Sequence, residues 1–151
     1  MFIDIVRSRK TCRRFTAEPL TDEEKALLTE AGSLAPTSRN LGSVRIHPVD
    51  DIEVIRRLAA CKDSGATALE TATYAVVVAA DTSIDTWVED ASIASILLQM
   101  EAEDLGIGSC WIQVRMRRKG DVSADDVIHG IMGLPRDVSV LSIIAFGRKA
   151  E

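Results

Sequence analysis

Apolar positions along the chain recur first at helical and then at strand spacing. Phe2, Ile5 and Val6 precede a basic cluster at roughly helical intervals, so a short first helix delivers residues 9–13 near its C-terminal end, where the helix dipole favours cations. Pro19 interrupts the pattern. Thr21 and Glu24 then make a capping box ahead of Ala26, Leu27, Leu28 and Ala31, which predicts a second helix over about 22–32. Residues 32–42 hold Ser33, Pro36, Thr37, Ser38 and Asn40 between two glycines, a composition suited either to an irregular loop rich in donors or to a plain linker. Val44, Ile46 and Val49 predict a short strand with Arg45 and His47 on its other face, His47 being a surface residue without a catalytic role.

Asp50 or Asp51 caps a helix that presents Ile52, Ile55, Leu58 and Ala59 on one side, and residues 62–73 are small and polar with room for one helical turn. Residues 74–80 form an almost continuous valine-rich run, the mark of a strand buried on both faces. A nucleotide-binding βαβ unit would continue into a glycine-rich turn, but Asp81, Thr82 and Ser83 follow, which excludes that reading. The longest helix is predicted over about 86–105, ended by Gly106. Because Ile93, Ile96 and Met100 are apolar as well as Ala91, Ala94 and Leu98, it is either a central helix or one packed against a partner subunit. Residues 109–114 read as a strand and 115–119 as a basic connection. Ser123 and Asp126 open a helix carrying Val127, Ile131 and Met132, on which His129 is a surface or satisfied residue; Gly133 and Pro135 end it, and 138–146 is the final strand. Without regular βαβ alternation the order of elements points to an α+β fold.

The 151 residues suit one compact domain, 1–151. A net charge of -5 argues against a general nucleic-acid binder. No apolar run is long enough to span a bilayer and no signal peptide is evident, so a soluble, cytoplasmic protein is expected without a membrane partner. Three unpaired cysteines, Cys12, Cys61 and Cys110, read as reduced thiols that serve mainly as small packing residues. With two histidines and no ligand spacing, no metal site is expected. Against this acidic background Arg7, Arg9, Lys10, Arg13 and Arg14 crowd into eight positions around Thr11. Such a set of planar forks, a point charge and a hydroxyl is either an anion site or a solvated basic turn. The second cluster, 115–119, is either an exposed loop or a site for the phosphates of a nicotinamide cofactor.

Residues 9–15, Arg-Lys-Thr-Cys-Arg-Arg-Phe, resemble the opening motif of the FMN-dependent nitroreductase family, Arg-Arg-Ser-x-Arg-x-Phe. Residues 35–41, Ala-Pro-Thr-Ser-Arg-Asn-Leu, are similar to that family's Ala-Pro-Ser-Ser-x-Asn segment, and residues 105–112, Leu-Gly-Ile-Gly-Ser-Cys-Trp-Ile, to its Leu-Gly-Leu-Gly-x-Cys-Trp-Ile. The resemblance implies a mixed, largely antiparallel sheet flanked by helices in an intertwined homodimer, with FMN at the dimer interface. It also implies that Arg9 and Thr11 hold the FMN phosphate with help from Lys10, and that Arg13 approaches the pyrimidine edge. Pro36, Thr37 and Ser38, with Asn40, would contact the flavin from the other subunit. A backbone donor to flavin N5 falls near Gln113 and Val114, with Ile112 packed on the ring. The implied activity passes hydride from NADH or NADPH to FMN, and from there to a nitroaromatic, quinone or similar small acceptor in two steps. Alternatives are a non-catalytic FMN-binding or storage protein and a cofactor-free interaction protein. The chain departs from the family pattern at Gly42, Ser43 and Val44, where Gln-Pro-Trp is usual, and after Gly147, where relatives usually continue into a tail that can supply another phosphate ligand; Arg148 and Lys149 are candidate substitutes that do not match its motif.

Overall fold

The computed structural model describes residues 1–150. In chain order they form α1 (Phe2–Ser8), α2 (Asp22–Ser33), β1 (Val44–Val49), α3 (Ile52–Leu58), β2 (Tyr74–Asp81), α4 (Trp87–Asp104), β3 (Gly108–Gln113), β4 (Arg118–Lys119), β5 (Val122–Ser123), α5 (Ala124–Met132) and β6 (Val138–Gly147). The valine-rich run becomes β2 and lies inside a four-stranded sheet of order β1-β2-β6-β3, in which every pairing is antiparallel. Fully paired and covered on both faces, β2 has no use for polar alternation. Its odd positions, Ala75, Val77 and Ala79, pack with Ile55 and Leu58 of α3 and Ile128 of α5. Its even positions, Val76, Val78 and Ala80, pack with Leu28 of α2 and Leu98 of α4. The result is a helix–sheet–helix sandwich of the α+β class, and β4 and β5 form a separate small hairpin.

Local chemistry explains the helix ends. Thr21 accepts from the Glu24 amide while Glu24 accepts from the Thr21 amide, so the predicted capping box exists. Asp51, not Asp50, caps α3 through the Glu53 amide, and Ser123 caps α5 through the Asp126 amide. Gly133 closes α5 at φ 66°, a left-handed conformation that suits glycine. The uncertain turn in residues 62–73 is a short 3-10 helix, Thr67–Glu70.

Three expectations need correction. Residues 118–119 are not loop but one strand of the β4–β5 hairpin. His47 is half-buried rather than a surface residue, with its Nε2 buried and unpartnered, and burial pushes its pKa down. Ile52 projects from the first turn of α3 and is exposed, leaving Ile55 and Leu58 to face the core.

Candidate active site

The Arg9–Arg13 cluster begins where α1 ends. Arg9 turns out of the helix at φ -59°, ψ 126°, and the chain runs extended beside β3, where Thr11 bridges Ser109 in parallel and the Cys12 amide donates to the Ser109 carbonyl at 2.9 Å. Close contact is permitted by Gly108, at which a Cβ would lie 2.9 Å from Cys12 Sγ. The cluster is thus docked on the outer edge of the sheet. Among the described residues, the side chains of Arg9, Lys10, Thr11 and Arg13 have no hydrogen-bond or ion-pair partner. Two guanidinium groups, an ammonium and a hydroxyl left unpaired beside one strand edge form a donor set that fits a phosphate.

From that anchor the open edge of β3 leads to Gln113. Antiparallel strands direct successive residues alternately toward and away from the neighbouring strand. Ser109 gives its carbonyl outward to Cys12, so Trp111 and Gln113 also face outward. At the end of the strand the amides of Val114 and Arg115 both donate to the Leu141 carbonyl, at 3.0 and 3.1 Å, beside the bulge that shifts the β2–β6 register. The Val114 amide is thus committed to β6 and its side chain is buried. Ile112, at 0% exposure, belongs to the core between the sheet and α3–α5. Gln113 remains, with its amide facing outward. Its side chain is pinned by the Trp111 indole, which donates to Oε1 at 3.0 Å, and by its own donation to the Arg115 carbonyl at 3.2 Å.

The loop bearing Pro36, Thr37, Ser38 and Asn40 enters β1, three strands away from β3 and roughly 14 Å across the sheet at ordinary strand spacing. One chain therefore does not bring the two halves together. The loop is nonetheless built firmly. Arg39, Asn40 and Gly42 take positive φ of 53°, 54° and 63°, unfavourable for the first two. Thr37 Oγ1 accepts from the Gly42 amide at 3.0 Å, and Asp90, 3% exposed in the first turn of α4, holds the rest. Its carboxylate accepts from the Ser38 amide at 3.1 Å, Ser43 Oγ at 2.7 Å and Thr86 Oγ1 at 3.1 Å. Burial opposes its ionisation, but these hydrogen bonds prevail and hold the carboxyl below its usual range.

Sequence reasoning missed Asp90 and Lys62. Asp90 left a faint trace, an acidic residue within an apolar helix; Lys62 left none. Lys62 is 7% exposed and donates from Nζ to the Gln113 carbonyl at 2.8 Å, while burial pushes its pKa down. The C-terminal basic residues are already engaged. Arg148 makes a two-pronged pair with Glu24 at 2.6 and 2.7 Å, and Lys149 reaches Glu103 at 3.5 Å. Cys61 and Cys110 are buried thiols with pKa values pushed up by burial, consistent with packing roles.

An unusual share of apolar surface lies on the α1–α2–α4 side. Phe2 is 63% exposed and Leu34 73%, bordering a groove of about 880 Å³ whose lining includes Ile5, Leu27, Leu97 and Met100. Among the described residues, no helix is long and apolar enough to cross a membrane, and no group of three or more His, Cys, Asp or Glu is placed to hold a metal ion.

The model of the Nitroreductase family matches residues 6–69 and 60–148. An FMN-dependent nitroreductase from Clostridium difficile R20291 superposes with a TM-score of 0.95 at 36% identity, covering 99% of this chain and 88% of that one. A protein from Archaeoglobus fulgidus, provisionally named NADH dehydrogenase/NAD(P)H nitroreductase, is 27% identical over 150 residues, covering 96% of this chain and 83% of its own. A nitroreductase A from Vibrio parahaemolyticus shares the fold, with a TM-score of 0.81 at 21% identity and coverage of 99% and 68%. With matches that span its N-terminal basic segment, its loop and its sheet, the chain belongs to the nitroreductase family.

Proposed function

We propose that this oxidoreductase is a single FMN-binding domain acting as a homodimer in the cytoplasm. One observation carries the reading: Arg9, Lys10, Thr11 and Arg13, whose side chains have no partner among the described residues, are docked at one end of an open strand edge that finishes at the outward Gln113 amide. Arg9, Lys10 and Thr11 would bind the FMN phosphate, Arg13 would lie toward the pyrimidine edge, and the Gln113 amide would face N5. Pro36, Thr37, Ser38 and Asn40 would come from the partner subunit, because within one chain they lie at the opposite edge of the sheet. The exposed Phe2, Leu34 and neighbouring groove are the surface on which that second copy would pack. Three free thiols suit a reducing compartment.

Held there by Arg9, Lys10, Thr11 and Arg13, FMN would supply two-electron redox chemistry between NADH or NADPH and a nitroaromatic, quinone or similar small acceptor, in two half-reactions at one site. The protein's part is to hold the phosphate, orient the ring and favour negative charge on it with Arg13. The test is the visible spectrum of the protein after FMN addition and removal of unbound ligand, followed by anaerobic NADH or NADPH. Retained yellow flavin that bleaches supports the reductase. Flavin that is retained without bleaching contradicts the NAD(P)H half-reaction, and no retained flavin contradicts the FMN site.

A further inference from the structure

Lys62 is the buried cation that the proposed function leaves without a task. It follows α3 in a tight segment, with its own hydrogen-bond partner 51 residues away in sequence. The segment is fixed from the far side. The Asp63 amide donates to the Arg118 carbonyl at 2.9 Å, and Asp63 Oδ1 accepts from the Gly120 amide at 3.0 Å, so the β4–β5 hairpin clamps the residue next to Lys62. Gly65, at φ 87°, folds the chain back over the lysine, and a Cβ there would sit 3.4 Å from Nζ. The lysine is therefore held in one place. Immobilising and drying an ammonium is costly, and the only acceptor it has among the described residues is the Gln113 carbonyl.

That carbonyl and the Gln113 amide leave β3 on the same side, away from β6. Beyond Gln113 the chain bulges and turns into the 115–117 connection, where Met116 takes φ 62°. An edge residue beside a bulge has no second strand to fix its peptide planes. The Lys62 ammonium replaces that strand at one point.

We propose that Lys62 is a positioning residue of the cofactor site, fixing the Gln113 peptide so that the Gln113 N–H is the donor offered to flavin N5, and placing a positive charge beside the ring. The proposal rests on the FMN reading above. A partly desolvated cation near the flavin favours the reduced, more negative form, so its removal lowers the reduction potential.

The first measurement needs no substitution. In 15N-labelled wild-type protein, addition of FMN should move the Gln113 amide resonance and slow its hydrogen exchange at least tenfold. An unmoved, freely exchanging Gln113 amide in a protein that demonstrably retains FMN overturns the proposal while leaving the FMN reading intact. Failure to retain FMN at all overturns that reading instead, and this one with it. Lys62→Met then keeps the aliphatic stem but removes charge and donor. Its FMN potential should shift negative and its Gln113 amide should lose the FMN-induced protection, with Lys62→Arg recovering part of both. A lysine that only braces the fold would lower thermal stability with the potential and the amide unchanged, and that result refutes the assignment.

Discussion

Substituting Asp90 by alanine should loosen the loop that carries Pro36, Thr37, Ser38 and Asn40. The carboxylate is 3% exposed and accepts three hydrogen bonds, of which two come from the 36–43 loop. A hydrogen bond to a charged group contributes about 1.5–3 kcal/mol, partly recovered when water enters the vacated space. Placement in the first turn of α4 adds about 0.3–1 kcal/mol through the helix dipole. Together these give a loss of about 3–5 kcal/mol for Asp90→Ala, and since a chain of this size loses about 2–4 °C per kcal/mol, the melting temperature should fall by roughly 6–20 °C.

Urea unfolding followed by tryptophan fluorescence reads this directly, because Trp87 starts the same helix. The pH dependence has a definite sign. Asp90 has a folded pKa below its ordinary 3.8, so its stabilising contribution is complete above about pH 4 and disappears as pH falls through the lower folded value. The Asp90→Asn protein should lack that acid-side component. FMN affinity should drop about tenfold or more with the loosened loop. A stability change under about 0.5 kcal/mol, with FMN affinity intact, would show that Asp90 does not organise the loop.

Three further outcomes are expected. Glu24→Gln removes the partner of Arg148; the guanidinium holds the Glu24 carboxyl down at about 2, so the pair stabilises above pH 4.5 and fades toward pH 2. Because both side chains remain partly solvated, a cost of only about 1–2 kcal/mol at pH 7 should appear in urea unfolding. Gly108→Ala places a methyl group against Cys12 Sγ and Lys149 Cγ; displacement of the basic segment should weaken FMN binding about fivefold or more by fluorescence titration, whereas unchanged affinity would detach that segment from the site. Phe2→Asp combined with Leu34→Asp should convert the proposed homodimer to a 16.4 kDa monomer in analytical ultracentrifugation and abolish FMN retention. A dimer that persists would exclude this face as the interface.

The sequence revealed elements wherever local chemistry is decisive. The capping box at Thr21, the buried valine run of β2 and the Gly133 stop each depend on residues within one turn or one strand. The burial of Ile112 and Val114 was not legible because facing in a strand follows from register, and the partner strand β6 is bulged at a point that no local pattern announces. Their alternation with Trp111 and Gln113 was visible, but which set faced the α3–α5 core was not. Lys62 was silent for a similar reason: a lone lysine in a small, polar stretch gives no sign that its acceptor lies on the distant strand β3. The basic cluster was legible by composition, although its docking on β3 depends on Gly108, a position that reads only as part of a motif.

Phosphate recognition by the docked basic segment is what anchors FMN in the proposed site. Titrations of wild-type protein and the Arg9→Ala/Lys10→Ala variant with FMN and with riboflavin, which lacks the phosphate, would isolate it. Wild type should bind FMN at least a hundredfold more tightly than riboflavin, and the variant should lose most of that preference while keeping its thermal stability. Equal binding of the two ligands by wild type, or a preference that survives the double substitution, would contradict the assignment of Arg9, Lys10 and Thr11 to the FMN phosphate.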